Sequence, residues 1–516
     1  MNNLTLKQKI GQMLLVPIEG TELDAATKAH LQKHHIGNII HFAKNLTDYK
    51  SIRKLNDSLQ DAIQESCGVP AFISTDQEGG MVARAYSGAT HYPSNMAITA
   101  ANAAHLVEKM GEMVALELKT LGINLNHAPV LDVNNNPNNP VIGIRSYSDK
   151  AEVVAQMATD YIRGLQRGGV LANAKHFPGH GDTNKDSHLD LPSINHGIAR
   201  LNEVELVPFK AAFADGIDSI MTAHIVFKEL DDLPATLSPK ILGGLLRKQL
   251  GFNGLILTDS MTMEAIRNHY GLEKGCIMAI NAGVDILCMN ADRDGQARCA
   301  NAILQAVENG EIPLEKIDTA VERILKYKAI YAQTDVPQPE EVYPAHEALA
   351  DEISEKSITL VKGNDSLLPL KADDNIFAIS PPPSTANIAD DTLVVQETFC
   401  KKAAAMLGCN FAEISTDPNA DEIAQVVQQA VNADVILYAS YNAIQFPGQI
   451  VLFDALKQAG KKVVLVSLRV PYDITKMQNA DAYIAAYEYT NRAVNNTLKA
   501  LAGELPFNGV LPIELC

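Results

Sequence analysis

Three histidines (His176, His180 and His188) and three aspartates (Asp182, Asp186 and Asp190) fall within residues 175–192. Such crowding of ionisable groups serves three kinds of chemistry. A metal site would draw on His176, His180, Asp182 and His188. Zinc sites carry tighter signatures, such as two histidines one helical turn apart or paired cysteines, and Pro178, Gly179 and Gly181 break any helix here, so no metal is expected. A structural use would satisfy loop backbone groups, a role that suits Asp182 and Asp190. The third use is acid/base catalysis by Asp186 and His188, which an extended Asp-Ser-His segment places on one side of the chain. A carboxylate beside an imidazole favours the imidazolium and so provides a proton donor near neutral pH. A donor of that kind needs a partner that attacks the other end of the bond.

The elements around the stretch indicate how such a partner is delivered. The apolar run at residues 169–174 leads into it like a buried strand, so polar groups emerge at a strand's end. The same pattern recurs through the first 330 residues, with apolar runs at 13–17, 38–42, 71–75, 124–130, 170–176, 219–224, 255–258 and 285–289. Helical patterns lie between them. Residues 151–165 place Val153, Val154, Met157, Ala158, Tyr161, Ile162 and Leu165 on one stripe, and Ser238-Pro239 opens another helix that Gly251 closes. Eight strands alternating with helices predict an α/β fold in which a (β/α)8 TIM-type barrel closes on itself. Runs such as Leu255-Ile256-Leu257 lack polar alternation, as expected where both faces are buried.

In such a barrel the strand ends converge on one mouth. Those ends carry Asp76, the Asp132 region, Lys175 with His176, His224 and Asp259. Asp259, held on a rigid strand, is suited to attack an electrophilic carbon from a fixed direction and is the best partner for His188. Retaining glycosidases use two carboxyl groups for these tasks; here a His-Asp pair would take the second.

Composition bounds the rest. A chain of 516 residues holds two or three domains, and 47% hydrophobic with 20% charged residues describes a globular protein. A net charge of -18 argues against nucleic acid or an anionic membrane surface as main partner. Seven scattered cysteines without a Cys-x-x-Cys pair read as reduced thiols. The apolar run at residues 13–18 is short for a signal peptide, and no stretch reaches the ~20 apolar residues of a membrane span, so the expected location is cytoplasmic. Beyond residue 333 the texture changes. Residues 334–347, with Pro337, Pro339 and Pro344, read as a linker between a barrel domain (1–333) and a second domain (348–516). Apolar runs at 376–380, 435–438, 463–467 and 482–486, with a helical pattern at 421–431, predict an α/β layered sandwich there. The sequence sets no oligomeric state.

Taken together these residues resemble the β-N-acetylglucosaminidases of glycoside hydrolase family 3. The matching segments are Asp76-Gln77-Glu78-Gly79-Gly80, the run at 128–133 leading to Asn139-Pro140-Val141-Ile142-Gly143-Ile144-Arg145-Ser146, the Lys-His-Phe-Pro-Gly-His-Gly block at 175–181 with Asp186-Ser187-His188, and Thr258-Asp259. The resemblance implies a cofactor-free barrel enzyme that removes terminal β-linked N-acetylglucosamine with retention, from muropeptides or chitin-type oligosaccharides. It implies Asp259 as nucleophile, His188 as general acid/base and Asp186 as its dyad partner, with Asp76, Arg84, Arg145, Lys175 and His176 holding the sugar. Met81 stands where many relatives have Arg. Family β-glucosidases often draw the acid/base from the second domain, a donation the dyad makes unnecessary here.

Two other functions share these residues. A neutral imidazole repels an incoming phosphate dianion less than a carboxylate does, which admits phosphorolysis to a sugar 1-phosphate. A sugar-binding protein without turnover is the other, although a binder has no need of a strand-end Asp with a paired His. Substrate-assisted catalysis by the acetamido group uses an adjacent Asp-Glu pair, and the pairs present, Asp351-Glu352 and Asp421-Glu422, lie outside the barrel.

Overall fold

The computed structural model describes residues 4–184, 186, 190–332, 343–371, 374–383, 390 and 397–515. Eight short strands form the first sheet: β1 (Leu14–Pro17), β2 (Asn38–His41), β3 (Phe72–Thr75), β4 (Leu125–Asn126), β5 (Leu171–Phe177), β6 (Ser219–Thr222), β7 (Leu255–Thr258) and β8 (Leu287–Cys288). All neighbours pair in parallel, in the order β7-β6-β5-β4-β3-β2-β1-β8. A parallel bridge between Leu257 and Ile286 joins β7 to β8 and brings the ring round. Nearly every strand position is buried, because side chains fill the barrel inside and helices cover it outside.

Each apolar run predicted as a strand supplies one of the eight. Two keep less than half of their runs. β4 stops at Asn126, whose side chain takes the Gln77 amide at 2.9 Å and returns a bond to the Gln77 carbonyl, and Pro129 then has no N–H for the ladder. β8 starts late because the Asp285 carboxylate, not its backbone, meets the Ile256 amide at 2.8 Å, while Arg247 and Arg323 neutralise it. The helix Ala151–Arg167 buries the expected stripe except Val153, which is half-buried, and Ser238 Oγ caps the helix Lys240–Gln249 by accepting from the Ile241 amide.

The second domain is a six-stranded sheet of β9 (Thr359–Lys362), β10 (Ile376–Ser380), β11 (Asn410–Glu413), β12 (Val435–Ser440), β13 (Lys462–Ser467) and β14 (Ala482–Ala485). Its order is β9-β14-β13-β12-β10-β11, parallel except for β9. The helix Pro344–Ser357 that leads into it takes in the last residues of the stretch read as linker.

The domains share an apolar seam. Met81, Met96 and Ile144, all from segments that follow barrel strands, belong to the same buried cluster as Val466, Tyr472 and Tyr487 of the second domain. This explains the departure at Met81, which is 3% exposed and packs where a guanidinium would lack water. Among the described residues no helix is long and apolar enough to cross a membrane.

Candidate functional site

The chain turns sharply after β3. Asp76 is followed by a small hairpin of Gln77–Gly79 and Val82–Ala83, and the extended geometry puts Asp76 and Glu78 on one side. Lys175, near the end of β5, reaches both: its Nζ lies 2.7 Å from Asp76 Oδ1 and 2.7 Å from Glu78 Oε1. Arg145, from the loop after β4, grips Glu78 with Nε and Nη2, each at 2.8 Å. Arg84 stands 4.0 Å from Asp76 and lies over the Phe42 ring.

Glu78, Arg84, Arg145 and Lys175 are buried and Asp76 is largely so, and charge rather than solvent sets their ionisation. Burial alone would raise the Glu78 pKa, but Arg145 and Lys175 outweigh it and hold the carboxyl at about 2. Asp76 is likewise held far below its ordinary range, against burial, by Lys175, His127 and Arg84. Lys175 is the mirror case: burial lowers its pKa, and Asp76 and Glu78 more than restore it. The cluster is therefore fully charged at neutral pH.

A second knot orients the histidines. Asp132, fully buried beyond β4, accepts from the His176 amide at 3.2 Å and the His180 amide at 2.7 Å, and its Oδ2 takes the His176 Nδ1 proton at 2.7 Å. Burial keeps His180 neutral, with its pKa pushed down to about 4. Asn139 Nδ2 donates to the carbonyls of His180 and Gly181, which stitches this loop to the one after β4. Only glycine fits at 181, since a Cβ there would lie 1.7 Å from the Val133 carbonyl oxygen.

Asp259 follows β7, and its Oδ1 accepts from the Ser260 amide at 2.6 Å. His224, expected at the mouth, is a bracket behind it: Nε2 donates to the Ser260 carbonyl at 3.0 Å and Nδ1 pairs with Thr236 Oγ1. One cavity of about 370 Å³ is lined by Asp259, Asp76, Arg84, Arg145, Lys175 and His176, together with Glu78 and His180. That is the lower end of the ~300–1,000 Å³ range of small-molecule sites. Its walls are apolar where Phe42, Val82, Val141 and Met221 contribute.

The structure thus gathers Asp76, Arg84, Arg145, Lys175 and His176, the residues expected to hold a sugar, with Asp259, on one cavity. Asp186 is buried in the loop after β5, and His188 lies outside the described residues. Glu78 is a residue that sequence reasoning left unassigned. Its spacing of two from Asp76 in an extended segment was the available signal. Asp182, His196 and Glu205 each bring a ligand-type atom within 4.8 Å of the others. A direct Asp182–His196 bond of 2.6 Å and the Arg200 guanidinium 3.2 Å from Glu205 make this a structural tie for the returning loop.

Residues 5–327 match the glycosyl hydrolase family 3 N terminal domain. The chain is 32% identical to a beta-hexosaminidase A of Pseudoalteromonas piscicida, over 94% of this chain and 87% of that one. It is 36% identical to a beta-hexosaminidase of Tolumonas auensis, over 57% of this chain and 86% of that one. Among solved structures it superposes on a glycoside hydrolase family 3 beta-N-acetylglucosaminidase from Paenibacillus sp. str. FPU-7 with a TM-score of 0.92, at 38% identity and 99% coverage of both chains.

Proposed function

Because this chain belongs to glycosyl hydrolase family 3 and is a glycoside hydrolase, we propose that it is a retaining exo-β-N-acetylglucosaminidase. The observation that carries the reading is the joint presence of Asp259 and the charged Asp76–Lys175–Glu78–Arg145 network on one cavity. The network presents paired donors and acceptors suited to a neutral sugar, and the strand-end carboxylate is aimed by the amide of Ser260. The beta-hexosaminidase and beta-N-acetylglucosaminidase names of the relatives support N-acetylglucosamine as the sugar.

In the first step the Asp259 carboxylate bonds to the anomeric carbon as the glycosidic C–O bond breaks, and His188 gives its proton to the departing oxygen. In the second step neutral His188 takes a proton from water, whose oxygen bonds to the anomeric carbon and releases Asp259. Asp186 favours the imidazolium form that His188 needs before the first step and regains after the second, and orients the neutral ring between them. Asp76, Arg84, Arg145, Lys175 and His176 hold the sugar. Terminal residues of muropeptides or chitin-type oligosaccharides in the cytoplasm are the natural targets in this reading, and the division into a barrel at 1–333 and a second domain at 348–516 belongs to it.

The test is product analysis after incubation with p-nitrophenyl N-acetyl-β-glucosaminide, with and without phosphate. Free N-acetylglucosamine of β configuration in both buffers is expected. A sugar 1-phosphate formed only with phosphate would replace water by phosphate as acceptor, and binding without any product would overturn the enzymatic reading.

A further inference from the structure

We infer that Glu488, a carboxylate of the second domain, is a positioning residue for the Glu78–Arg145 pair, so that the second domain sets sugar affinity by bracing the segments that carry the pair. Glu488 lies between β14 and the helix Asn491–Leu501 and is only 2% exposed. Its Oε2 crosses the domain seam and accepts from the Ser94 amide at 2.7 Å, while Oε1 accepts from Thr490 Oγ1 at 3.0 Å. Ser94 Oγ donates in return to the Tyr487 carbonyl and caps the helix Asn95–Ala100 by accepting from the Ala97 amide.

Two short paths lead from this contact to the cavity. On one, Asn95 Nδ2 donates to the Arg145 carbonyl at 2.6 Å, so the helix start fixes the backbone that aims the guanidinium. On the other, Gly80, two residues beyond Glu78, donates its amide to the Tyr92 carbonyl at 2.8 Å and accepts from His91 Nε2 at 2.6 Å. Gly80 has a φ of +57°, and a Cβ there would lie 2.5 Å from Ser94 Cβ and 3.0 Å from Glu488 Oε2. Residues 91–95 are therefore clamped between Glu488 and the hairpin, and both members of the ionic pair hang from them. Without the carboxylate the buried Ser94 amide has no acceptor, and the segment relaxes towards a new partner. A clamp that holds the sugar alike in ground and transition states shows its loss in KM rather than kcat.

The inference rests on the proposed function, in which Arg145 holds the sugar. The experiment compares full-length wild type, Glu488→Ala, Glu488→Asp and Glu488→Gln on p-nitrophenyl N-acetyl-β-glucosaminide, with calorimetric binding of N-acetylglucosamine and a thermal melt. Glu488→Ala is expected to raise KM and the sugar Kd by about fivefold or more with kcat within about twofold. Glu488→Asp, which withdraws the acceptor by one methylene, should move in the same direction. Glu488→Gln, whose amide oxygen still accepts from Ser94, should restore both constants. Should Glu488→Ala fail to fold, the Asp and Gln variants carry the comparison. Wild-type KM and Kd in folded Ala or Asp variants, with only the melting temperature lowered, would overturn the inference alone. No turnover by wild type would sink the functional reading and the inference with it.

Discussion

Arg145 holds Glu78 by both arms of its guanidinium, Nε to Oε2 and Nη2 to Oε1 at 2.8 Å each, in a place where the two side chains are 6% and 2% exposed. The planar fork matches the carboxylate in a way that an ammonium cannot. Arg145→Lys keeps the charge and loses the second bond, so kcat/KM is expected to fall by at least about tenfold with the fold intact. Steady-state kinetics and circular dichroism check this; unaltered kcat/KM would show that the fork has no part in holding substrate.

Lys175 is the shared cation of two carboxylates, Glu78 buried and Asp76 partly so. Lys175→Met leaves Asp76 the weaker neighbours Arg84, at 4.0 Å, and His127, while Glu78 keeps its pair with Arg145. Breaking a buried pair from one side costs about 3–5 kcal/mol, and the lower end is expected because Glu78 stays paired. Urea unfolding at pH 7 measures it. The folded Glu78 pKa, at about 2, lies below its unfolded value, so this stabilisation is complete above pH ~4.5 and is lost as pH falls towards 2. A variant as stable as wild type at pH 7 would contradict this account.

Asp132 makes three bonds, to two amides and the His176 ring. In Asp132→Asn the amide cannot accept at both atoms, so either the ring loses its acceptor at Oδ2 or both backbone amides lose theirs at Oδ1. Partners that orient a site ring typically contribute about 10- to 100-fold, and a fall of that size in kcat/KM is expected. Undiminished kcat/KM in the folded variant would mean that His176 needs no such anchor.

The proposed nucleophile admits a chemical test. Asp259→Gly should lower kcat by at least about a thousandfold, as loss of a covalent nucleophile does. Added azide, filling the space of the lost carboxylate, should then form an α-glycosyl azide from a β-glycoside. Nuclear magnetic resonance identifies the anomer. A β-azide, or turnover that stays at the wild-type rate, would remove Asp259 from the role.

How far the sequence carried this structure depended on whether an interaction is local. β7 was legible because Leu255, Ile256 and Leu257 form an unbroken apolar run with Asp259 after it, and both features belong to one segment. β9 and β11 were not: each is an edge strand of four residues, and all but Ala412 of β11 are exposed, so no apolar run marks them. His224 reads as a strand-end histidine facing the mouth, yet its ring nitrogens bond to Thr236 and Ser260, which the folded turn brings within reach. Glu488 is 394 positions from Ser94 and carries no nearby motif, so a pairing across the seam leaves no trace in either segment. The sequence reading of Asp186 and His188 as a pair stands as an expectation, since His188 falls outside the described residues.

Two second-domain carboxyls give the stability a pH dependence with a sign that can be worked out. Burial pushes Glu488 up to about 7, and it pushes Asp473, which accepts from Ser440 Oγ and the Ala443 amide, up to about 7 as well. Between pH ~4.5 and 7 the folded state thus binds protons that the unfolded state has released, and stability falls as pH rises through that window. Burial lowers His41, His127 and His180 to about 4, and these act in the opposite direction over part of the same window. The wild-type curve alone therefore does not isolate the carboxyls. The difference between wild type and Glu488→Gln does, because the amide cannot ionise while the histidines are common to both. Between pH 5 and pH 8 the variant should gain on the order of 2 kcal/mol relative to wild type. Urea unfolding at pH 5, 6, 7 and 8 measures this, and two parallel curves would place the Glu488 pKa at its ordinary value in the folded protein.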